Sequence, residues 1–306
     1  MLEIVKRRYL YFAISLVVIV PGLIALIIWG LPMGIDFTGG SLMEVTFEDH
    51  ARPSTEEVVN LYNDFGFTDA KAQNAGETNM IVRTRHMEED EQAQMLAEMN
   101  SHFEGDVTLQ RFESVGPSVG KETAKQAAGA VGLAAVAIML YITYAFRQVS
   151  HAFRYGVAAI LAMLHDVLVV VGIEAILGHF LGWETDSLFL TALLTVIGFS
   201  VHDTVVVFDR IRENARIHRR LPYETMVNHS IVQTLDRSIN TQLTVMFTLF
   251  ALVLFGGTTI RHFVTILLIG VFSGTYSSIF NAAPVLVVWE NKEWRNWFGR
   301  KAKSAA

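Results

Sequence analysis

The run Ile197-Gly198-Phe199-Ser200-Val201-His202-Asp203-Thr204-Val205-Val206-Val207-Phe208 sets one carboxylate inside an apolar stretch that extends from Leu188 to Phe208. An ionisable side chain in a membrane span costs roughly 2.5–3.5 kcal/mol on insertion scales, so such a group usually faces a protein interior and has a task there. The next apolar run opens with Arg237. A nearby cation makes a carboxylate release its proton more readily, and burial makes it hold the proton more tightly. A change in the distance between Asp203 and Arg237 therefore switches proton affinity, and that chemistry suits coupling to a proton gradient. At helical spacing, Ser200, Thr204 and Val207 share the face of Asp203, and Asn240, Thr241, Thr244 and Thr248 follow Arg237. The plainer alternatives are that Asp203 only hydrogen-bonds a neighbouring helix and that Arg237 only snorkels to the headgroups.

A second candidate lies in the preceding span, where His165-Asp166 sits near the middle. Asp166 carries the same burial penalty as Asp203 and is expected in the same polar core. His165 is a modulator of the adjacent acid or a satisfied core residue. Glu174, nearer the outer end, is expected to be solvated. The echo of His165-Asp166 in His202-Asp203 raises metal binding, but neighbours on a helix point about 100° apart and one doublet rarely supplies two ligands. H-E-x-x-H is absent, so a zinc protease has no support. An aspartyl dyad of Asp166 and Asp203 would make an intramembrane protease, but the chain lacks a G-x-G-D pattern.

These residues need a membrane scaffold, and composition provides one. The chain is 52% hydrophobic and 18% charged, with the apolar residues clustered. Six runs are near or above the length that crosses a bilayer: Tyr9–Trp29, Ala124–Phe146, Phe153–Gly178, Leu188–Phe208, Ile239–Phe255 and Phe263–Trp289. The first follows Lys6-Arg7-Arg8 like a signal peptide, but its apolar core is long and no A-x-A site follows, so it is expected to be retained. Cysteine is absent, which excludes disulfides and thiolate metal sites. Basic residues cluster in alternate loops: Lys6 to Arg8; Arg147 and Arg154; Arg210, Arg212, Arg216, Arg219 and Arg220; and the tail from Lys292 through Arg295, Arg300 and Lys301 to Lys303. The positive-inside rule then puts both termini in the cytoplasm and residues 33–120 outside. The basic loop after Phe208 suits contact with anionic lipid headgroups. The net charge of −6 argues against nucleic-acid binding.

Residues 33–120 read as a soluble α+β domain. Alternation over Gly40–Glu48 predicts a strand. Ser54 and Glu57 form a capping box for a helix whose inner face is Val58, Leu61, Tyr62 and Phe65. Two strands follow, Lys71–Asn74 and Asn79–Arg85, turned by Gly76. A helix over Glu88–His102 buries Met95, Leu96 and Met99, and ends at Gly105-Asp106. A last strand, Val107–Ser114, completes a β-α-β-β-α-β order, the ferredoxin-like arrangement. His86 and His102 are expected at the surface. Residues 1–32 are then the first membrane helix, and 121–306 hold five more with their cytoplasmic loops and tail. In the last span Gly270 and Gly274, with Ser273, Ser277 and Ser278, predict a close-packing face.

Three motifs carry a resemblance: Gly34-Ile35-Asp36-Phe37-Thr38-Gly39-Gly40, Val115-Gly116-Pro117-Ser118-Val119-Gly120, and the stretch Ile197–Asn214 joined later by Arg237-Ser238-Ile239-Asn240-Thr241. Together they resemble the SecF family of bacterial protein-export subunits, within the RND superfamily, over nearly the whole chain. The resemblance implies an inner-membrane subunit paired with SecD that uses the proton-motive force to help exported preproteins through the SecYEG translocon, with YajC as a further partner and no cofactor or enzymatic activity. It implies that the family's essential aspartate falls on Asp203 and its essential arginine on Arg237. Asp36, Gly34, Gly39 and Gly40 belong to its signature motif. The family commonly has asparagine where His202 stands, so the imidazole is expected to tune the site. A small-molecule efflux subunit of the same superfamily is the alternative; only one six-span half and a small exported domain are present.

Overall fold

The computed structural model describes residues 2–47, 52–75, 78–103, 106–149, 151–218 and 220–293. Six helices among them are long and apolar enough to cross a membrane: Val5–Trp29, Pro117–Ala145, Ala152–Leu181, Ser187–Ile217, Tyr223–Phe255 and Ile260–Glu290. The first is a 3-10 turn followed by α1 (Arg8–Trp29). The next four are α5 (Pro117–Ala145), α6 (Ala152–Leu181), α7 (Ser187–Ile217) and α8 (Tyr223–Phe255). The sixth runs through α9 (Thr258–Ser277), a π-helical turn (Ser278–Ala282) and α10 (Ala283–Glu290). The chain is a polytopic helical membrane protein. Large apolar side chains on α1 such as Val17 and Ile27 are 72% and 75% exposed, which is tolerable only where lipid or a partner helix replaces water.

Two helices run well past their apolar runs. The segment from Pro222 and the fifth span form a single helix, α8, because no Gly or Pro interrupts Tyr223–Phe255. The fourth span continues without a break to Ile217. Arg219, Arg295, Arg300, Lys301 and Lys303 lie outside the described residues, as do Gly76 and Gly105.

The chain divides into two compact units, residues 1–31, 130–183 and 188–306, and residues 32–129 and 184–187. In the first, Gly22 of α1 meets Gly172 of α6, and a Cβ on either would lie 2.7 Å from the other's Cα. Two glycines here let the backbones approach as closely as small-residue membrane contacts do.

The second unit holds a four-stranded sheet in the order β2-β3-β1-β4, all antiparallel. The strands are β1 (Gly40–Phe47), β2 (Lys71–Ala75), β3 (Asn79–Thr84) and β4 (Val107–Val115); the helices α3 (Thr55–Asp64) and α4 (Glu89–His102) complete it. A single core joins Met43, Val45 and Phe47 of β1 to Val58, Leu61 and Tyr62 of α3 and Met95 and Met99 of α4. Ser54 and Glu57 close the expected capping box. Phe65, expected on the buried face, ends the helix as its C-cap and is exposed.

The Gly-Gly motif has a physical reason. A short helical turn, α2 (Ile35–Thr38), must reverse into β1. Gly39 and Gly40 make that corner at φ 76° and 129°, conformations that L side chains rarely adopt. A Cβ on Gly39 would sit 2.6 Å from Pro117 Cα, and one on Gly120 would sit 2.5 Å from Gly39 N. The two glycine-containing motifs thus pack on each other.

Residues 184–187, between α6 and α7, join this unit, which the sequence did not reveal. Thr185 N donates to Pro32 O at 2.7 Å, and Gly34 N donates to Thr185 O at 2.8 Å. Ser187 N donates to Asp36 Oδ2 at 2.8 Å, so the motif aspartate serves as a backbone cap. Arg83 Nε lies 2.8 Å from Glu184 Oε1. Burial pushes the Glu184 carboxyl above its ordinary value of 4.5, and Arg83 pulls it only partly back.

A raised carboxyl favours the folded state while protonated. Its contribution to stability is therefore whole below about 4.5 and fades as pH rises through the raised value. Thermal unfolding across that window should show the parent losing more stability with rising pH than Glu184→Gln. Parallel pH profiles would refute this. In the bundle, Gly172→Val should lower stability by about 1–3 kcal/mol through overpacking, whereas Gly198→Ala, inside α7 and meeting nothing within 4 Å, should be neutral or raise stability by up to about 1 kcal/mol. Unfolding midpoints in detergent test the difference.

Candidate functional site

The spans that carry the acids also carry their partners. Asp166 on α6 is fully buried, with 0% exposure. Ser200 of α7 and Ser277 of α9 donate to its Oδ2 at 2.5 and 2.6 Å, and Ser273 of α9 donates to Oδ1 at 2.6 Å. His165 Nδ1 completes the set at 3.0 Å from Oδ1. An ionised carboxylate accepts about four hydrogen bonds, and this one has that number. The serines stand where they do because α9 repeats small residues along one face. Gly270 abuts Val196, and Gly274 lies 3.3 Å from Ser200 for an added Cβ, so the serine hydroxyls reach across a short gap.

The network extends from His165. Its Nε2 lies 3.0 Å from Ser15 Oγ of α1, and Asn281 Nδ2 donates to that hydroxyl at 2.9 Å. With a proton on Nδ1, His165 donates to Asp166 and accepts from Ser15, which accepts from Asn281. Every group in that assignment has a partner. Asn281 sits in the π-helical turn Ser278–Ala282. Pro284 follows two residues into the next helical segment. Proline has no N–H for the carbonyl one turn back, and a wide turn absorbs that irregularity.

Asp203 lies one turn beyond Ser200 on α7 and is 2% exposed. Gln242 Nε2 of α8 donates to its Oδ2 at 2.6 Å. Gln242 Oε1 and Ser238 Oγ, both buried, have no partner among the described residues. An amide offers a donor and an acceptor, so Gln242 can serve a carboxylate through its NH2 and a carboxylic acid through its oxygen. Its side chain therefore suits a group that changes protonation.

The expected Asp203–Arg237 pair is not present. Among the described residues no ion pair joins them, and Arg237 is exposed. The reason is helical phase. Ser238 and Gln242, one turn apart, face α7; Arg237, Asn240 and Thr241 lie around the helix from them and are exposed. The Asn214–Ser230 contact, at 2.8 Å, and the Asp203–Gln242 contact fix an antiparallel register that sets Arg237 about level with Val207, one turn from Asp203. His202 is also exposed. Gly34, Asp36, Gly39 and Gly40 belong to the other unit and shape its corner.

Glu174 is the second correction. Instead of being solvated it is 0% exposed, and its Oε2 lies 3.0 Å from His262 Nε2 of α9. His86 and His102 are exposed, as expected. Sequence reasoning missed Gln242, Ser15 and Asn281. The signals that could have found them are a lone serine in an otherwise apolar first span, and an Asn shortly before a proline in the sixth. Ser273 and Ser277, expected to serve packing, also bind Asp166. Among the described residues no three His, Cys, Asp or Glu side chains come close enough to hold a metal ion.

Replacing Asp166 by Ala should leave three serine hydroxyls without their acceptor and lower stability by about 2–4 kcal/mol. Ser277→Ala should cost about 1.5–3 kcal/mol, the value of one hydrogen bond to a charged group. Thr195→Ala on the exposed side of α7 should be near neutral. Equal unfolding midpoints for all three would overturn the central place given to Asp166.

Comparison with known proteins agrees with this architecture. A family model described as protein export membrane protein SecD/SecF, C-terminal, matches residues 95–292, and the SecD/SecF GG motif matches residues 24–49. The chain is 59% identical to protein translocase subunit SecF of Anaerolinea thermophila over the full length of both. It is 49% identical to the SecF subunit of Thermobaculum terrenum, covering 100% of this chain and 99% of that one. The crystal structure of SecDF from Thermus thermophilus matches with a TM-score of 0.82 at 32% identity, over 95% of this chain and 39% of that one. A SecDF structure in a super-membrane-facing form matches with a TM-score of 0.68 at 30% identity, over 97% of this chain and 40% of that one. With the matched model spanning most of the chain and full-length SecF relatives, the chain belongs to the SecD/SecF family of protein export membrane proteins, as a SecF-type member.

Proposed function

We propose that this protein is a non-enzymatic export subunit that works with SecD and uses the proton-motive force to promote movement of preproteins through SecYEG, with YajC as an accessory partner. The observation that carries the reading is the buried pair of acids where four membrane helices meet: Asp166, bonded by Ser200 of α7, and Asp203, one turn further along α7 and bonded by Gln242 of α8. Asp203 takes up and releases the proton. Gln242 holds it in the present state, and Arg237, one turn away, replaces Gln242 when α8 shifts against α7. Asp166 senses the change through Ser200, while His165 and His202 adjust the local field.

The face of α8 that carries Arg237, Asn240, Thr241, Thr244 and Thr248 is exposed in the single chain. The three threonine hydroxyls bond back to their own helix, but the guanidinium of Arg237 and the amide of Asn240 are poorly suited to lipid, and this face is where we place the helices of SecD. Residues 33–120 form the extracytoplasmic domain, with both termini in the cytoplasm of a bacterial inner membrane. Its strand order β2-β3-β1-β4 and β-α-β-β-α-β sequence support a ferredoxin-like domain. Residues 1–32 and 121–306 then make up the membrane part.

One proton crossing 100 mV releases about 2.3 kcal/mol, enough for a modest helix shift but requiring repeated cycles for sustained work. Asp203→Asn keeps the shape and a partner for Gln242 but cannot release a proton. In inverted vesicles it should reduce export to the rate seen when the gradient is collapsed, with the SecD complex still assembled. Export that stays fully gradient-dependent in this variant would refute the assignment.

A further inference from the structure

Glu174 and His262 play no part in the site above, yet they are a titratable pair near the C-terminal end of α6. Glu174 is fully buried on α6, and its Oε1 has no partner among the described residues. Its Oε2 is 3.0 Å from His262 Nε2, and the His262 side chain keeps 17% of its surface exposed. Trp183 and Phe189 flank the imidazole at ring separations of 4.7 and 6.4 Å. One end of the pair thus reaches the outside of the bundle while the other is dry.

A buried carboxylate with an unmet oxygen carries a penalty of several kcal/mol unless it is neutralised by a proton or a cation. The pair has both means within one hydrogen bond. Other charged groups do not substitute. On α6, His179 stacks on Trp29. On α9, Arg261 is exposed. From α7 the facing side chain is the apolar Phe189, and Glu184, next to Trp183 in sequence, is held by Arg83.

Glu174 follows Asp166 along α6 by about 12 Å of helix rise. The intervening level is filled by Val170, Ala192, Leu193, Val196 and Ile266, each 6% exposed or less. On α9, Ile266 and Gly270 separate His262 from Ser273. Protons do not hop across a packed apolar layer of that thickness, so the two polar levels are isolated in this state.

We infer that Glu174 and His262 form a second proton-binding site, loaded from the partly exposed imidazole and separated from the Asp166–Asp203 core by a dry layer. A proton arrives from water at His262 Nδ1. The Nε2–H bond then breaks, and its proton forms an O–H bond on Glu174 Oε2, leaving a neutral imidazole protonated on the other nitrogen. The proton-binding claim stands on this geometry; its use in export rests on the proposed function.

The test is spectroscopic and needs no export assay. The full chain is placed in lipid nanodiscs with 15N-labelled histidine, and the His262 signal is assigned by its loss in His262→Gln. Glu174→Gln should displace the His262 titration midpoint about tenfold in proton concentration, the effect of removing a charge in hydrogen-bond contact. An unmoved midpoint overturns the pair. If Glu174→Gln does not fold, infrared difference spectra after a pH jump decide with His262→Gln alone. The parent should show a buried carboxyl signal whose pH response changes in that variant, and identical spectra overturn the site. An export defect in Asp203→Asn together with an unmoved His262 midpoint would sink this inference and leave the proposed function standing. The reverse pattern would do the opposite.

Discussion

A carboxylate in hydrocarbon must find its hydrogen bonds inside the protein, and Asp166 finds four from three helices. Water cannot supply a missing partner at that depth, so the demand is strict. It fixes α7 and α9 against α6, because Ser200, Ser273 and Ser277 must all reach the same two oxygens. Apolar packing alone would tolerate sliding by a fraction of a turn in a bilayer, where side chains and lipid tails are chemically alike. The hydroxyls remove that freedom. Small residues make the geometry attainable: Gly270 and Gly274 draw α9 onto α7, and Gly22 and Gly172 draw α1 onto α6, which lets Ser15 extend the network.

The same strictness gives Asp203 its character. It has one strong partner, Gln242, where Asp166 has four. A carboxylate that is fully satisfied is held in place, and one that is thinly satisfied can exchange partners at low cost. Gln242 offers either a donor or an acceptor, and the hydroxyl of Ser238, one turn away on α8, has no partner among the described residues. Asp166 is thus the more firmly held of the two acids, and on the proposed function Asp203 is the group that changes. This difference follows from the number of partners and not from depth, since both are buried.

What the sequence made legible follows from periodicity and cost. The spans were readable because a water-soluble fold seldom needs about twenty apolar residues in a row. The α+β domain was readable because strand alternation, the Ser54–Glu57 capping box and glycine punctuation agree. Asp166 and Asp203 stood out because acids in such spans are rare. That Gln242 and not Arg237 bonds Asp203 was not legible, because helical phase relative to a neighbouring helix cannot be read from one helix alone. A one-residue change of reference rotates a side chain by about 100°, and Arg237 lies just outside the face that Ser238 and Gln242 occupy. Glu174 differs from expectation on a related ground: its depth suggested an interface, but burial was decided by α9 packing His262 over it. The role of 184–187 was hidden because its bonds run through backbone groups, which carry no residue signature.

The glycine motif and the serine face are two answers to one problem, the placing of polar groups where backbones nearly touch. At Gly39 the chain must turn with a positive φ against Pro117, so only a residue without Cβ fits, and the reason is steric. On α9 the requirement is smallness plus a hydroxyl. Alanine would pack at Ser273 or Ser277 but leave Asp166 short of a donor, and threonine would donate but bring a methyl group to a contact already filled. Serine is the side chain that satisfies both conditions. Such positions therefore admit fewer substitutions than packing alone would suggest, and a small residue beside a membrane acid is better read first as a hydrogen-bond donor and only then as a spacer.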